Sequence, residues 1–364
     1  MKVMMTCGGT GGHITPALAI ADILRANIGD CSIRFLGTEG GMENTLVANA
    51  GYEISPLRVM GFSRKNPFLL LRSARLMHGA VRAAKRELAD FLPDIVIGTG
   101  SYACYPALAA AISLGIPAAV HESNAVPGLA VRLLARRLDR VWLGFEAAKN
   151  ALPDGARALV VGNPQPKGFF QPDLQNGGAG ERKIVLSFGG SLGAPAINAA
   201  ILRLIEQTKG MVGVHHVHAT GKREWEHFCA ELEKRGLTDA PNLEILPFIT
   251  DMVRRMREAT VVVSRAGAMS ISEIAMAGRA AVLVPSPNVT GDHQLKNAAA
   301  LAKVGAAILV EERELETGAL EKAVIGLLED SAKRRAMERA VVAFAHPQAN
   351  RLIYEDILRL VARK

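Results

Sequence analysis

The sequence predicts an α/β protein of two successive doubly wound domains, each a parallel sheet covered by helices on both faces. Three observations predict it. Strand-like runs alternate with helix-length segments along nearly the whole chain, which is the pattern of a parallel sheet with helical crossovers. The 364 residues suffice for two cores of ordinary size, and the low aromatic content (5%) beside abundant Ala and Gly suits closely packed layers. Both halves also begin alike, with a strand running into a glycine-rich loop and then a helix. The loops are Gly8-Gly-Thr-Gly-Gly-His13 and Gly189-Gly-Ser-Leu-Gly193.

In the first half, apolar runs mark strands at Lys2–Thr6, Ser32–Leu36, Ile95–Gly98, Ala118–His121, Val141–Leu143 and Ala158–Val161. Helical spacing fills the intervals near Pro16–Ala26, Met42–Ala50, Leu69–Leu88, Ala107–Leu114 and Leu129–Leu138. Residues 95–120 carry no charge and are long enough to span a bilayer. They read instead as strand, loop, short helix and strand, because Gly98-Thr-Gly-Ser101, Pro106, Gly115 and Pro117 punctuate them. From Gly162-Asn-Pro164 to Arg182 no period is clear, so this stretch reads as a linker or surface loop.

The pattern then restarts with strands at Ile184–Phe188, Val214–Val217, Leu243–Leu246, Val261–Ser264, Ala281–Val284 and Ala307–Val310. Two helical segments, roughly Ala319–Ala343 and Gln348–Val361, close the chain on either side of His346-Pro347.

The formal charge is +8, and its position is more telling than its size. Residues 54–86 hold no Asp or Glu and eight basic residues: Arg58, Arg64, Lys65, Arg72, Arg75, Arg82, Lys85 and Arg86. This segment therefore accounts for the whole net charge. Leu69, Leu70, Leu71, Leu76, Met77 and Val81 lie among them. An amphipathic helix with a cationic rim binds an anionic membrane surface peripherally, and one face of it is expected to pack on the sheet. Nucleic acid is the weaker reading of the charge and is not expected as a partner, because no recognisable DNA- or RNA-binding motif accompanies it. The four cysteines are widely spaced without a C-x-x-C pair, which fits a reducing cytoplasm and argues against a structural zinc. A glycine loop beginning at Gly8 leaves no room for a signal-peptide apolar region.

A glycine-rich turn between strand and helix lets a ligand approach the backbone, and the helix N-terminus behind it favours negative charge. Two such turns, at the starts of two domains, would face a shared cleft at the carboxyl ends of the strands. Neither loop has the G-x-G-x-x-G spacing of a dinucleotide site, and no Walker G-x-x-x-x-G-K-[ST] occurs. No D-x-D exists to hold a diphosphate through a metal. A diphosphate would instead be met by helix N-termini, hydroxyls and basic side chains. Ser191 and the helix start at Ser270 are placed to face it, although Ser270 with Glu273 equally reads as a capping box. A carboxylate such as Glu273 can accept both ribose hydroxyls, and Asp292-His293-Gln294 stands where amides read sugar hydroxyls. In the first half, His121-Glu122-Ser-Asn124 follows a buried strand, and His13 stands on a glycine turn where a general base would.

These motifs resemble, in order and over nearly the whole chain, the MurG family of bacterial UDP-N-acetylglucosamine:lipid I N-acetylglucosaminyltransferases of peptidoglycan synthesis. The residues that carry the resemblance are Gly8–His13, Gly100-Ser-Tyr102, His121–Asn124, Gly162-Asn-Pro164, Gly189–Ala194, Ser264–Ala268 with Ser272-Glu273, and Asp292-His-Gln294 with Asn297. The resemblance implies a GT-B fold, two Rossmann-like domains facing a cleft. It also implies inverting transfer of GlcNAc from UDP-GlcNAc to the C4 hydroxyl of MurNAc in lipid I, with neither metal nor cofactor.

By position, the resemblance puts Glu273 on the ribose, the Phe248-Ile249 backbone on the uracil, Ser191 on the diphosphate, and Asn124 and Gln294 on the GlcNAc. Arg265, Ala268, Met269, Ser270 and His293 line the same pocket, with Thr10, Gly11 and Gly12 across from them. Thr10, His13, Tyr102 and His121 lie on the acceptor side. His13 is the implied base, with Glu122 or His121 as runner-up. Residues 1–163, rejoined by 345–364, form the acceptor- and membrane-facing domain, and 164–344 bind the donor. Arg64, Lys65, Leu69, Leu70, Arg72 and Arg75 then face the cytoplasmic side of the plasma membrane.

Two positions depart from the family. Pro166 stands where an Arg usually contacts the diphosphate, so Lys167 is left to supply a point charge without the Arg fork. Arg279 stands in Gly278-Arg-Ala280 where Gly-x-Pro is common. Another GT-B transferase acting on a lipid, a UDP-GlcNAc 2-epimerase, and a non-catalytic sugar-nucleotide-binding protein are the competing readings.

Overall fold

The computed structural model describes residues 1–60, 67–165, 182–190, 193–238, 240–289 and 292–362, with only the backbone of 67–72. Two compact units emerge, Met1–Pro166 with Gln348–Lys364, and Lys167–Pro347.

Seven strands build the first unit's sheet: β1 (Lys2–Thr6), β2 (Ser32–Thr38), β3 (Glu53–Leu57), β4 (Ile95–Gly98), β5 (Ala118–Glu122), β6 (Arg140–Leu143) and β7 (Ala158–Val160). Their order is β3-β2-β1-β4-β5-β6-β7, and every pairing is parallel. The order reverses between β1 and β4, where Thr6 aligns with Gly98. A crevice at the carboxyl ends of strands opens at such a switch point. β3 departs from the sequence reading, which has no strand there. Its sequence, Glu-Ile-Ser-Pro-Leu, carries Pro56 and shows no apolar run. Proline is tolerated because β3 is the edge strand.

Helices α1 (Gly11–Asn27), α2 (Glu43–Asn49), α3 (Pro67–Phe91), α4 (Tyr105–Leu114) and α5 (Leu129–Leu134) cover this sheet. Strand alternation divides its core. Met4, Leu36, Val96, Val120 and Val141 face α3 and α4, whereas Val3, Met5, Phe35, Ile97 and Trp142 face the other way, toward α1. Met77, Ala80, Ala84, Leu88 and Phe91 of α3 are buried at helical spacing, so this part of the basic segment packs on the sheet. Arg75, Arg82 and Arg86 are exposed on the opposite face. Arg64 and Lys65 lie outside the described residues, as do the side chains of Leu69, Leu70 and Arg72. Residues 95–120 resolve into β4, a 3₁₀ turn at Tyr102–Cys104, α4 and the start of β5. Among the described residues no helix is long and apolar enough to cross a membrane.

The second unit repeats the plan with β8 (Lys183–Phe188), β9 (Val214–Ala219), β10 (Leu243–Leu246), β11 (Val261–Ser264), β12 (Ala280–Leu283) and β13 (Ile308–Leu309). The order is β10-β9-β8-β11-β12-β13, again parallel, with its switch point between β8 and β11. The helices are α6 (Pro195–Thr208), α7 (Trp225–Lys234), α8 (Met252–Glu258), α9 (Ala268–Ala277), α10 (His293–Ala302), α11 (Ala319–Glu329) and α12 (Ser331–Val341). The single helical segment expected at Ala319–Ala343 is two helices. Asp330 accepts the Lys333 N–H at 2.9 Å and caps the second. Arg279 is 1% exposed, and its buried charge acts on Glu338 of α12.

The last helix, α13 (Ala349–Val361), returns to the first unit. Ile353, Ile357 and Leu360 join the core on the α1 side. Its Asp356, 4% exposed, accepts from Arg140 Nε at 2.7 Å, Arg140 Nη2 at 3.1 Å and Trp142 Nε1 at 2.8 Å. The Asn350 amide bonds both the N–H of Gln165 (2.9 Å) and its C=O (2.8 Å).

Candidate functional site

In the first unit the loops after β1, β4, β5 and β7 converge at one end of the sheet. α1 starts at Gly11 with Thr10 as its N-cap, earlier than the Pro16 start that the apolar spacing suggests. Gly11, Gly12 and His13 are therefore the helix's first turn and not a free glycine turn. Thr10 makes no side-chain cap bond, and the N–H of His13 turns back to the Thr10 carbonyl at 3.0 Å. His13 is half-buried, and its Nδ1 lies 2.8 Å from the Thr99 carbonyl oxygen. A carbonyl can only accept, so Nδ1 carries the proton of the neutral ring and Nε2 keeps the lone pair. Tyr102 opens the 3₁₀ turn beyond β4 and is 37% exposed.

His121 and Glu122 belong to β5 itself and do not follow it. His121 is fully buried. Its Nε2 donates to the Gly162 carbonyl at 3.0 Å, and Ser123 Oγ sits 3.3 Å from Nδ1. Burial pushes its imidazole down to about 4, with the nearby His13 adding to the effect and the Gly162 bond opposing it. This is a neutral, satisfied core histidine. Glu122, 1% exposed, is a loop clamp. Its Oε1 accepts from the Asn124 backbone N–H (3.0 Å) and from Asn124 Nδ2 (3.1 Å), while Oε2 accepts from the Gly128 N–H (2.8 Å). Both groups thereby hold the loop that presents Asn124. The Gly162-Asn-Pro164 motif serves the same loop, since Asn163 Nδ2 donates to the Ser123 carbonyl at 3.2 Å. Gly144 leaves room for that amide, whose Oδ1 would lie 2.2 Å from a Cβ there.

In the second unit the loops after β11 and β12 interlock. Arg265 Nη1 donates to the carbonyls of Val284 (3.3 Å) and Pro285 (3.2 Å), and its Nη2 pairs with Glu312 at 2.5 Å. Asn297 Nδ2 donates to Ala266 O at 3.3 Å, tying α10 to the same loop. Gln294 Oε1 accepts the Ser286 N–H at 2.9 Å, which fixes the orientation of its amide. Asp292 occupies the N-cap position of α10 in the left-handed region at φ 53°, with no side-chain cap bond, and half-buried His293 is the first helical residue. α9 begins at Ala268 with Gly267 as N-cap and no side-chain cap bond. Ser270 is thus the third residue of the helix and no capping box exists there. Ala268 and Met269 are buried, while Ser270 is half-buried.

One turn further along α9 stands Glu273, half-buried. Burial alone pushes its carboxyl up to about 7, with no charge or hydrogen bond among the described residues acting on it. A desolvated carboxyl with no donor among the described residues is able to accept from hydroxyls. Phe248, 47% exposed, and Ile249, 4% exposed, follow β10. Ser191 and Lys167 lie outside the described residues. Among those described, no three His, Cys, Asp or Glu side chains are grouped to hold a metal ion.

Residues 3–143 match the glycosyltransferase family 28 N-terminal domain, and 184–353 match the family's C-terminal domain. The chain belongs to glycosyltransferase family 28. Family 28 relatives align from end to end. A UDP-N-acetylglucosamine--N-acetylmuramyl-(pentapeptide) pyrophosphoryl-undecaprenol N-acetylglucosamine transferase of Acetivibrio thermocellus is 36% identical over 100% of this chain and 99% of its own. The enzyme of that name from an Exiguobacterium species is 38% identical over 96% and 97%. Among solved structures, MurG of Acinetobacter baumannii superposes with a TM-score of 0.80 at 32% identity, covering 98% of this chain and 99% of that one. A UDP-GlcNAc 2-epimerase from Neisseria meningitidis bound to UDP-GlcNAc reaches 0.63 at 15% identity over 99% and 100%, a likeness of fold alone. The family 28 fold is therefore GT-B, with two Rossmann-like domains, and the family's activity is glycosyl transfer.

The sequence reading missed Thr99 and Gly100 as partners of His13. Gly100 lies inside a quoted motif, but its contact with His13 joins residues far apart in the chain. It missed the clamp made by Glu122 for the same reason that it proposed Glu122 as a base: a carboxylate's partners are not visible in sequence.

Proposed function

We propose that this enzyme transfers GlcNAc from UDP-GlcNAc to the C4 hydroxyl of MurNAc in undecaprenyl-pyrophosphoryl-MurNAc-pentapeptide (lipid I), with inversion and without a metal, giving lipid II. The observation that carries this reading is the full-length match, at 34–38% identity, to transferases bearing that name. In it the second unit binds the donor and the first the acceptor. The C4 oxygen attacks the anomeric carbon in line as the bond to the diphosphate breaks. Its proton passes to His13 Nε2, and UDP leaves with the bonding electrons. The N-termini of α6 and α9, whose N-cap residues make no side-chain cap bond, suit the charge that develops on the diphosphate. In the second unit Gln294 holds the GlcNAc, and Arg265 shapes the donor pocket through the carbonyls it grips.

The decisive assay supplies labelled UDP-GlcNAc and a lipid I analogue in the presence of EDTA. Lipid II is the expected product. No transfer, or transfer restored only by added metal, counts against the reading.

Glu273 receives the ribose hydroxyls in this scheme, and its raised carboxyl makes the claim testable. Two hydroxyl donors favour the carboxylate, so donor binding expels a proton from a group that titrates near 7. Affinity for UDP-GlcNAc should therefore weaken about tenfold from pH 8 to pH 6. Glu273→Gln should abolish that slope and cost about 10–100-fold in affinity. Calorimetry over this range checks both, and an unchanged slope in the variant removes Glu273 from the ribose.

Peripheral docking on the anionic cytoplasmic leaflet follows from a lipid-linked acceptor. Exposed Arg75, Arg82 and Arg86 of α3 support it, as do exposed Leu129 and Leu133 of α5 flanked by exposed Arg132, Arg136 and Arg137. Co-sedimentation with phosphatidylglycerol vesicles should fall steeply as salt rises. Equal binding to neutral vesicles would argue against a charged face.

A further inference from the structure

The loop after β4 makes two reciprocal bonds to His13. Thr99 is fully buried. Its carbonyl accepts the Nδ1–H of His13 at 2.8 Å, and its hydroxyl donates to the His13 carbonyl at 2.6 Å. One residue thus grips both the ring and the backbone of another 86 positions away. The Thr99 N–H is itself fixed to Thr6 O at 3.1 Å, so the grip is anchored to β1. Next to it, Gly100 has φ +90°, and a Cβ there would stand 3.0 Å from Nδ1 and 3.1 Å from Cε1 of the ring. The imidazole lies directly against this backbone. Ser101 follows at φ 67°, ψ 161°, a region essentially reserved for glycine. The loop keeps a disfavoured backbone while holding the ring.

We propose that Thr99 is a positioning residue for the glycosyl transfer: its hydroxyl locks the first turn of α1 to the end of β4 and so holds His13 in the Nδ1-protonated tautomer with Nε2 presented to the acceptor. This rests on His13 being the base. The carbonyl that fixes the tautomer belongs to the backbone and cannot be mutated away, but the hydroxyl that keeps it in register can. Valine preserves the shape of threonine and removes the donor. Serine preserves the donor.

The test compares Thr99→Val, Thr99→Ser and His13→Gln in the intact enzyme with UDP-GlcNAc and a lipid I analogue. Thr99→Val should lower kcat about tenfold, as small displacements of a reacting group do. KM for UDP-GlcNAc should stay within about twofold, because substrate binding is not what the hydroxyl serves. Thr99→Ser should restore kcat. Long-range ¹H–¹⁵N spectra of histidine-labelled protein should show one Nδ1–H tautomer for His13 in the parent and a mixture in Thr99→Val. A Thr99→Val enzyme with parental kcat overturns the proposal. So does a lowered thermal midpoint with an unchanged tautomer and unchanged kcat per folded molecule. Lost turnover in His13→Gln beside full turnover in Thr99→Val removes the positioning role alone. Full turnover in His13→Gln removes the base assignment and the positioning role together.

Discussion

His13→Gln lowers turnover by about 10²–10⁴-fold, the range that a positioned general base contributes. Affinity for UDP-GlcNAc stays within about twofold, since deprotonating the acceptor is a transition-state event. The expectation rests on elimination as well as on geometry. His121 has the same chemistry on paper, but its Nε2 is spent on the Gly162 carbonyl and burial keeps it neutral down to about 4. Glu122 has both oxygens occupied by N–H donors and is 1% exposed. Of these three, His13 combines a defined tautomer with partial exposure at the switch point between β1 and β4. His13→Ala should recover part of its rate when imidazole is added to the assay, which Glu122→Gln should not. A His13 variant within tenfold of the parent, or imidazole rescue of the Glu122 variant, would move the base elsewhere.

The sheets were legible because parallel strands buried on both faces read as unbroken apolar runs. β4 and β11 are four-residue examples, Ile-Val-Ile-Gly and Val-Val-Val-Ser, every position buried. β3 escaped because an edge strand needs neither an apolar run nor a full set of amide donors. Gly8-Gly-Thr10 after β1 and Gly189-Gly190 after β8 were legible as the ends of their strands, although Gly11–His13 proved to be the first turn of α1. Their neighbours were not, because a hydrogen bond such as His13 to Thr99 leaves no trace in local spacing.

The histidine and carboxylate of the His-Glu-Ser-Asn stretch stood out as polar residues at a strand's end, which is a sound signal of function. In the structure their bonds run to Gly162 and to the loop that carries Asn124. Ser270 misled in the opposite direction. Ser-x-x-Glu is a good N-cap signature, yet the helix starts two residues before it because Gly267 can adopt the extended cap conformation unaided. Glu273 is then left with no backbone to cap, and an uncommitted carboxyl in a desolvated place is a stronger pointer to a ligand than the motif was.

The return of α13 to the first unit was also invisible to any local pattern, and it carries the largest expected effect on stability. Asp356 sits in the middle of that helix, nearly inaccessible to water, against Arg140 and Trp142 of β6, more than 200 positions earlier. Arg140 is itself four-fifths buried, with 20% of its side chain exposed. Replacing such a charge pair with apolar groups of equal shape can be harmless, but removing one partner leaves the other buried and unmatched, which costs about 3–5 kcal/mol. Trp142, fully buried, would also lose the acceptor of its indole N–H. Asp356→Ala should therefore lower the first unit's thermal midpoint by roughly 10 °C. The second unit takes no part in the pair, so UDP-GlcNAc affinity measured below that transition should match the parent. Asp356→Asn retains an acceptor for one donor and should fall between the two. Calorimetry of the three proteins decides it. A shift under about 2 °C in Asp356→Ala would show that α13 is held by its apolar face alone. A loss of donor affinity in parallel with the shift would show that the helix supports both units.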